Sequence, residues 1–272
     1  MALSALRALA RVAARITVHA PAWGADLYRD LGAEVVPRGT MDRADVAVLF
    51  PPSFRAAWEA RRVPRRVGIA ADHRAWLLTD VVAPGTHRLD TYAALAAAVG
   101  AAVDGPPAFA VRPEDPEVDV PRGHVGLNPV SPSGAPVTWT GFAALSVRLD
   151  RPIVWYGGPG EEADVAEVAP PGASRRVGLS LPAFARALTR CAVFVSNDSG
   201  AAHFARACGV PVVVVHGSTT AARTGPAGAL AVEGPELPCR PCYRKRCRFG
   251  LECLEIPVQR VLDAVGAAVE AG

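Results

Sequence analysis

The chain is 272 residues long, half of them hydrophobic and 20% charged. That length exceeds the usual ~100 to 150 residue domain and the composition supports a large core, so two domains are expected and extended disorder is excluded. A formal net charge of +3 is too small to specify a nucleic-acid partner, and no apolar run reaches the ~20 residues that span a bilayer, so a cytoplasmic protein is expected.

From the N-terminus, Leu3, Leu6, Leu9 (or Ala10) and Ala13 recur at helical spacing and run straight into RITVHA. This predicts a buried first helix rather than a targeting peptide. Strands are predicted over Arg15–Ala20, Asp45–Phe50 and Arg66–Ile69, and helices over Trp23–Leu31, Ser53–Arg61 and Leu89–Val99. Such alternation predicts a parallel sheet flanked by helices. The Pro-rich, acidic stretch VRPEDPEVDVPRG then reads as a linker, and the β/α pattern restarts with HVGLNPV, IVWYGG, AVFVSND and PVVVVHG. The closing IPVQRVLDAVGAAVEAG predicts a helix with Ile256, Val261, Leu262 and Val265 on one face. The expected division is 1–118, 119–255 and a C-terminal helix over 256–272. Arg61, Arg62, Arg65 and Arg66 form a basic cluster that reads either as a solvated face or as a contact for an anionic surface.

The stretch most informative about chemistry is SNDSGAAHFARAC. In an open parallel sheet, ligands collect at the carboxyl ends of strands, where helix N-termini present free amides. Asn197, Asp198 or Ser199 can cap the helix, Gly200 lets a ligand approach the backbone, and His203 falls within the first turn. The alternative is that Asp198 and Ser199 only cap a helix and His203 packs locally. NDSG also occurs in the nucleophile turn of trypsin-like proteases, but here the serine opens an Ala-rich helix instead of lying in an all-β barrel. G-x-S-x-G is absent, and Gly157, Gly158 and Gly160 do not complete G-x-G-x-x-G.

Several stretches in order resemble glycosyltransferase family 9, the ADP-heptose:lipopolysaccharide heptosyltransferases: LFPPSFRAAWEARRVPRRVGIAADHRAWLLTD, VGLNPVSPSGAPVTW, IVWYGGPGEEAD and NDSGAAHFARACGVPVVVVHGSTTAARTGPAG. The resemblance implies a GT-B fold, two Rossmann-like domains with parallel sheets facing a central cleft, the first binding acceptor and the second donor. It implies Asp198, Ser199, Gly200 and His203 at the donor sugar and diphosphate, Asn128 and Pro129 on a strand-end loop facing the donor, Glu161 near the nucleoside, and Gly217 and Thr219 in the next strand-end turn. Arg223 is expected to be structural. The implied activity is inverting transfer of a heptose from ADP-heptose or a similar nucleotide sugar to a lipopolysaccharide core or other lipid-linked saccharide. It would take place in the cytoplasm, with peripheral contact at the inner face of the cytoplasmic membrane. No cofactor is required for such chemistry.

Two departures from the family pattern stand out. Val137 and Thr138 precede Trp139 where the family carries a basic residue. MALSALRAL matches the helix that follows the family's first strand and Gly-Asp loop, so the N-terminal domain is expected to be incomplete, with no catalytic base assigned. Asp26 and Asp72 are acidic but do not occupy the family's position. A catalytically impaired nucleotide-sugar-binding paralogue is the alternative function, and a sugar-nucleotide epimerase the third.

Four of the six cysteines cluster as Cys239, Cys242, Cys247 and Cys253. Three readings stay open: a structural thiol cluster, a zinc or iron–sulfur site, and disulfides. Arg240, Arg244, Lys245, Arg246 and Arg248 make the same loop basic and able to meet anionic acceptor groups. Cys191 and Cys208 are expected as buried residues in helical contexts.

Overall fold

Short β-branched runs separated by Ala-rich segments yield only parallel ladders among the described residues of the computed structural model. The structure describes residues 1–41, 43–131, 138–244 and 246–271, with the side chains of Ala22 and Trp23 left out. The chain divides into two compact units, Met1–Pro107 and Ala108–Gly272. No helix among the described residues is long and apolar enough to cross a membrane.

The first unit opens with α1 (Leu3–Val12), whose Leu3, Ala5, Leu6, Ala8 and Leu9 are buried. It continues through β1 (Thr17–His19), β2 (Glu34–Val36), β3 (Val46–Leu49), α2 (Phe54–Glu59), β4 (Arg65–Gly68), β5 (Asp80–Val81) and α3 (Arg88–Ala97). Its strands form two ladders, β1–β2 and β3–β4–β5. Ile16 and Val18 from the first and Val48 and Phe50 from the second pack into one apolar cluster beneath α1 and α3. Hydrophobic burial rather than a shared backbone ladder therefore joins them. The helix expected over Trp23–Leu31 is instead a 3₁₀ stretch, Ala22–Tyr28. Gly24 and the aromatic residues disfavour an α-helix, and Gly32 takes φ +60 in the turn that follows.

The second unit runs β6 (His124–Asn128), α4 (Phe142–Ser146), β7 (Ile153–Gly157), α5 (Glu162–Val168), β8 (Arg175–Val177), α6 (Leu181–Leu188), β9 (Cys191–Asn197), α7 (Gly200–Ala207), β10 (Val212–His216), α8 (Ala221–Thr224), β11 (Leu230–Glu233) and α9 (Val258–Glu270). Its six strands lie in the order β8-β7-β6-β9-β10-β11. The chain builds outward from β6 in one direction, then crosses back and builds outward from β9 in the other. The β6/β9 boundary is therefore the topological switch point of a doubly wound sheet. Both β6 and β10 are buried along their whole length, as expected for strands covered on two faces. α9 covers one face through Val261, Val265 and Ala268, joining Leu127, Trp139, Phe142 and Trp155 in the main core.

The acidic, Pro-rich stretch does not behave as a free linker, because its apolar residues find core positions. Val118 and Val120 are buried, and Glu117 pairs with Arg186 on α6. Just upstream, Phe109 donates its amide to Ala207 O at 2.8 Å and packs its ring 4.9 Å from that of Phe204. The second unit accordingly starts eleven residues before the expected boundary at 119. Cys191 begins β9 rather than lying in a helix, and burial pushes its thiol up to about 12, which keeps it unreactive.

Within β6, the absence of a side chain at Gly126 is a packing requirement. A Cβ there would stand 2.7 Å from the Phe194 ring and 3.2 Å from both Tyr156 and Cys191 Sγ. Gly126→Ala is expected to lower unfolding free energy by about 1–3 kcal/mol through overpacking, read from urea denaturation; an unchanged midpoint would contradict this packing account.

Candidate functional site

The residues singled out in the second half of the sequence converge on one edge of the sheet. Asn128 ends β6 and Pro129 follows it, Gly158 and Glu161 follow β7, Asp198 to Gly200 follow β9, and Gly217 to Thr219 follow β10. These four strands are consecutive neighbours, so the loops share the carboxyl edge and flank the switch point, where doubly wound sheets bind ligands.

Buried amide side chains stitch this edge together. Asn197 accepts from Trp139 N at 2.9 Å and donates to Pro129 O at 2.7 Å. Asn128 donates to Tyr156 O at 3.0 Å and accepts from Ser196 Oγ at 3.2 Å. Ser196 and Ser199 hydroxyls meet at 2.8 Å, and Trp139 Nε1 donates to Ile256 O at 3.1 Å. Asn128 is only 4% exposed and both ends of its amide are engaged, so it joins strands. The three capping candidates resolve to Ser199, whose hydroxyl accepts from Ala202 N. Asn197 points the other way, into the stitch.

The start of α7 is left open. Among the described residues, no acceptor is recorded for the amides of Gly200 and Ala201, two of the donors a helix cannot satisfy internally. A Cβ built on Gly200 meets nothing within 4 Å, and His203 lies half-buried one turn on. Asp198 borders this opening with its side chain 10% exposed. Its Oδ2 accepts from Thr224 Oγ1 at 2.8 Å and lies 3.8 Å from His216 Nδ1.

His216 is fully buried, and its Nδ1 is 3.0 Å from Thr219 Oγ1. Burial drives its pKa down against the opposing pull of Asp198 and Glu233, so the imidazole is neutral near pH 7. Beyond it, Glu233 accepts from Thr220 Oγ1 at 2.9 Å, Ala221 N at 2.8 Å and Arg240 Nη2 at 2.8 Å. Burial works to raise the Glu233 carboxyl, but those donors outweigh it and hold the group below the usual carboxylate range.

Arg240 differs from its expected role as an exposed cation for anionic groups. Its side chain is 8% exposed and donates to the carbonyls of Gly217, Gly234, His216 and Thr219 as well as to Glu233. A cavity of about 300 Å³ adjoins it, lined by Thr220, Glu233, Glu236, Leu237 and Pro241. With its donors committed to protein acceptors, Arg240 has little left to offer an anion there. Glu161 accepts from Gly158 N at 2.6 Å, closing the β7 turn. Arg223 stacks 4.7 Å over the Tyr243 ring, in keeping with a structural role.

The four clustered cysteines do not share one environment. All six thiols are free, and among the described residues no group of three or more His, Cys, Asp or Glu side chains can hold an ion. Cys239 and Cys247 are exposed while Cys253 is buried, so the sulfurs occupy different environments. Burial, reinforced by the neighbouring thiols, raises Cys253 above its ordinary value. Val137 and Lys245 lie outside the described residues. In the first unit, Asp72 Oδ2 accepts from Phe54 N at 2.6 Å.

The sequence profile of glycosyltransferase family 9 (heptosyltransferase) matches residues 40–252. The chain belongs to that family. Lipopolysaccharide heptosyltransferase 1 of Pseudomonas aeruginosa is 36% identical over 72 residues, a stretch covering 26% of this chain and 20% of that relative. ADP-heptose lipopolysaccharide heptosyltransferase II of E. coli superposes with a TM-score of 0.75 at 22% identity, over 99% of this chain and 94% of that one. E. coli heptosyltransferase WaaC with ADP gives 0.69 at 16% identity, over 98% and 95%. At these identities the likeness establishes the fold, and the fold is the GT-B type that the motifs implied.

Signals for Asn197, Thr224, His216 and Arg240 were weak in sequence. Each acts through partners 22 to 58 residues away or in a different loop, beyond the reach of local spacing. Asn197→Ala removes the partner of both Trp139 N and Pro129 O, at an expected cost of about 2 kcal/mol or more, measured by chemical denaturation. Neutral, buried His124 and His216, both lowered chiefly by burial, resist protons that the unfolded chain takes up below about pH 6.5. Stability is therefore fully present above that pH and declines as pH falls toward 5. His216→Gln should flatten part of the decline in thermal melts; a melting temperature that rises on acidification would rule the account out.

Proposed function

We propose that the protein is an inverting glycosyltransferase that moves a heptose, or a closely related sugar, from a nucleotide diphosphate donor, ADP-heptose, to a lipid-linked saccharide of the lipopolysaccharide core type at the inner face of the cytoplasmic membrane. The acceptor hydroxyl attacks the anomeric carbon as its proton passes to a base, the bond from that carbon to the diphosphate oxygen breaks, and the pair of electrons leaves on the nucleotide diphosphate. Negative charge grows on the leaving group. Donors fixed beforehand where that charge develops can each be worth ~3 to 4 kcal/mol.

The observation that supports this reading most strongly is the opening at α7. Gly200 stands at the first helical position, where alanine has better helix propensity, and nothing in the fold occupies the space its missing Cβ leaves. Packing does not explain the glycine; close approach of a ligand to the Gly200 and Ala201 amides does. In this reading those amides, with the dipole of α7 behind them, hold the diphosphate. Asp198 accepts from sugar hydroxyls with Thr224 holding one oxygen, and His203 donates to a phosphate or sugar oxygen. Gly217 and Thr219 frame the neighbouring turn, and Glu161 lies toward the nucleoside. Asn128 and Pro129 shape the floor through the stitch rather than by touching donor.

Titration calorimetry with ADP, ADP-heptose and UDP sugars tests the reading. Binding of ADP and ADP-heptose, with UDP sugars weaker, is expected, and Gly200→Ala should weaken it at least tenfold while leaving the melting temperature unchanged or slightly raised. Equal, negligible heats for all three ligands would overturn the assignment, and full affinity in Gly200→Ala would move the diphosphate away from α7.

A further inference from the structure

The first unit carries an aromatic surface that neither its core nor the donor site accounts for. Phe54, Trp58 and Trp76 are 38%, 46% and 69% exposed. They form one patch: Phe54 and Trp58 stack along α2 with centroids 6.1 Å apart, and Trp76 sits 6.3 Å from Phe54. Arg61 lies 4.5 Å over the Trp58 ring. Clustered exposed aromatics are costly in water and mark an interaction surface.

The patch is held outward by a rigid support. Ser53 caps α2 by accepting from Ala56 N, and Asp72 accepts from Phe54 N. Arg74, fully buried, donates to Pro51 O, Ser53 O and Ile69 O, tying the loop after β3 to the loop after β4. Asp72 and His73 both hold positive φ, 52° and 54°, a strained backbone that persists only where surrounding bonds over-determine it. These constraints set the distance between α2 and the Ala75–Leu77 turn, and so bring Trp76 beside Phe54.

Charge indicates what covers the patch. Residues 53–80 contain six arginines against Glu59, Asp72 and Asp80, a surplus of three that equals the formal net charge of +3 of the whole chain. Arg55 pairs with Glu59 and Arg65 with Asp80. Arg61 and Arg62 have no carboxylate partner among the described residues; Arg61 lies over the Trp58 ring and its neighbour Arg62 is exposed. Tryptophan beside unpaired arginine suits the headgroup layer of an anionic bilayer, where rings enter the interface and guanidinium groups meet phosphates. A six-residue helix and a three-residue turn offer far less than the ~800 Å² per partner of a stable protein interface.

We propose that Phe54, Trp58 and Trp76, with Arg61 and Arg62, seat the protein on an anionic lipid bilayer. The proposal deepens, and rests on, the reading of a membrane-borne acceptor. The full chain should sediment with vesicles of phosphatidylcholine containing about 30% phosphatidylglycerol, much less with phosphatidylcholine alone, and less as salt screens the arginines. Trp58→Ser with Trp76→Ser should reduce partitioning at least tenfold, and Arg61→Glu with Arg62→Glu should remove the preference for anionic vesicles. Brominated phosphatidylglycerol should quench tryptophan fluorescence of the unaltered protein, a readout that needs no variant. ADP binding, measured on the same variants, should be unchanged, which separates failure of this surface from failure of the donor site. The proposal is overturned if the protein stays in the supernatant with anionic vesicles, if the double tryptophan variant partitions like the parent, or if the patch instead mediates a concentration-dependent dimer.

Discussion

The carboxyl edge of the second unit depends on one constraint: two parallel strands that wind away in opposite directions must be held side by side at their ends, where the ladder stops. β6 and β9 meet at the switch point, and their mutual ladder stops at Asn128 and Ser196. Two buried asparagines supply the missing bonds, Asn197 to Trp139 N and Pro129 O, Asn128 to Tyr156 O and Ser196. Buried polar groups stabilise only when every partner is present. Here the network is closed, and it fixes the level from which Ser199 starts α7.

A second bracket performs the same task further along the edge. Glu233 at the end of β11 and Arg240 from the cysteine-rich tail join the turns after β10 and β11, and Arg240 alone reaches four carbonyls besides the carboxylate. The planar guanidinium, with five donors in a fixed fork, suits this work in a way an ammonium would not. The tail is thus part of the edge's framework. It constrains His216 and Thr219, and through Thr220 the short α8 that offers Thr224 to Asp198.

The parallel α/β class, the strands of the second unit and the turn at Asp198 were legible because they depend on local periodicity and on residue types at a strand-to-helix junction. Ser199 as cap and Gly200 at the first helical position follow from short-range rules. What was not legible depends on distance along the chain. Val118 and Val120 sit in a stretch whose prolines and acids suggest a linker, yet each finds a core position in the second unit. Arg240 reads as one of several loop cations until the fold brings Glu233 and four carbonyls around it. Asp72 reads as an acidic residue outside the family's catalytic position, and its Oδ2 accepts from Phe54 N at the start of α2. In each case a tertiary partner reassigned a residue whose neighbours in sequence said nothing about it.

The stretch SNDSGAAH therefore divides its labour by burial. Ser196 and Asn197, each fully buried, belong to the stitch, and the Ser199 hydroxyl is shared between Ser196 and Ala202 N. What remains toward solvent is the pair of unbonded amides at Gly200 and Ala201, the Asp198 carboxylate with one oxygen held, and the half-buried His203. Two glycines of this unit make the same division visible. Gly126 faces three side chains that would collide with a Cβ, whereas Gly200 faces empty space. The framework crowds one glycine and leaves the other open, at the start of α7. An anionic group suits the exposed amides and the dipole of α7, and hydroxyl groups suit the flanking carboxylate and imidazole. An activated sugar carries both.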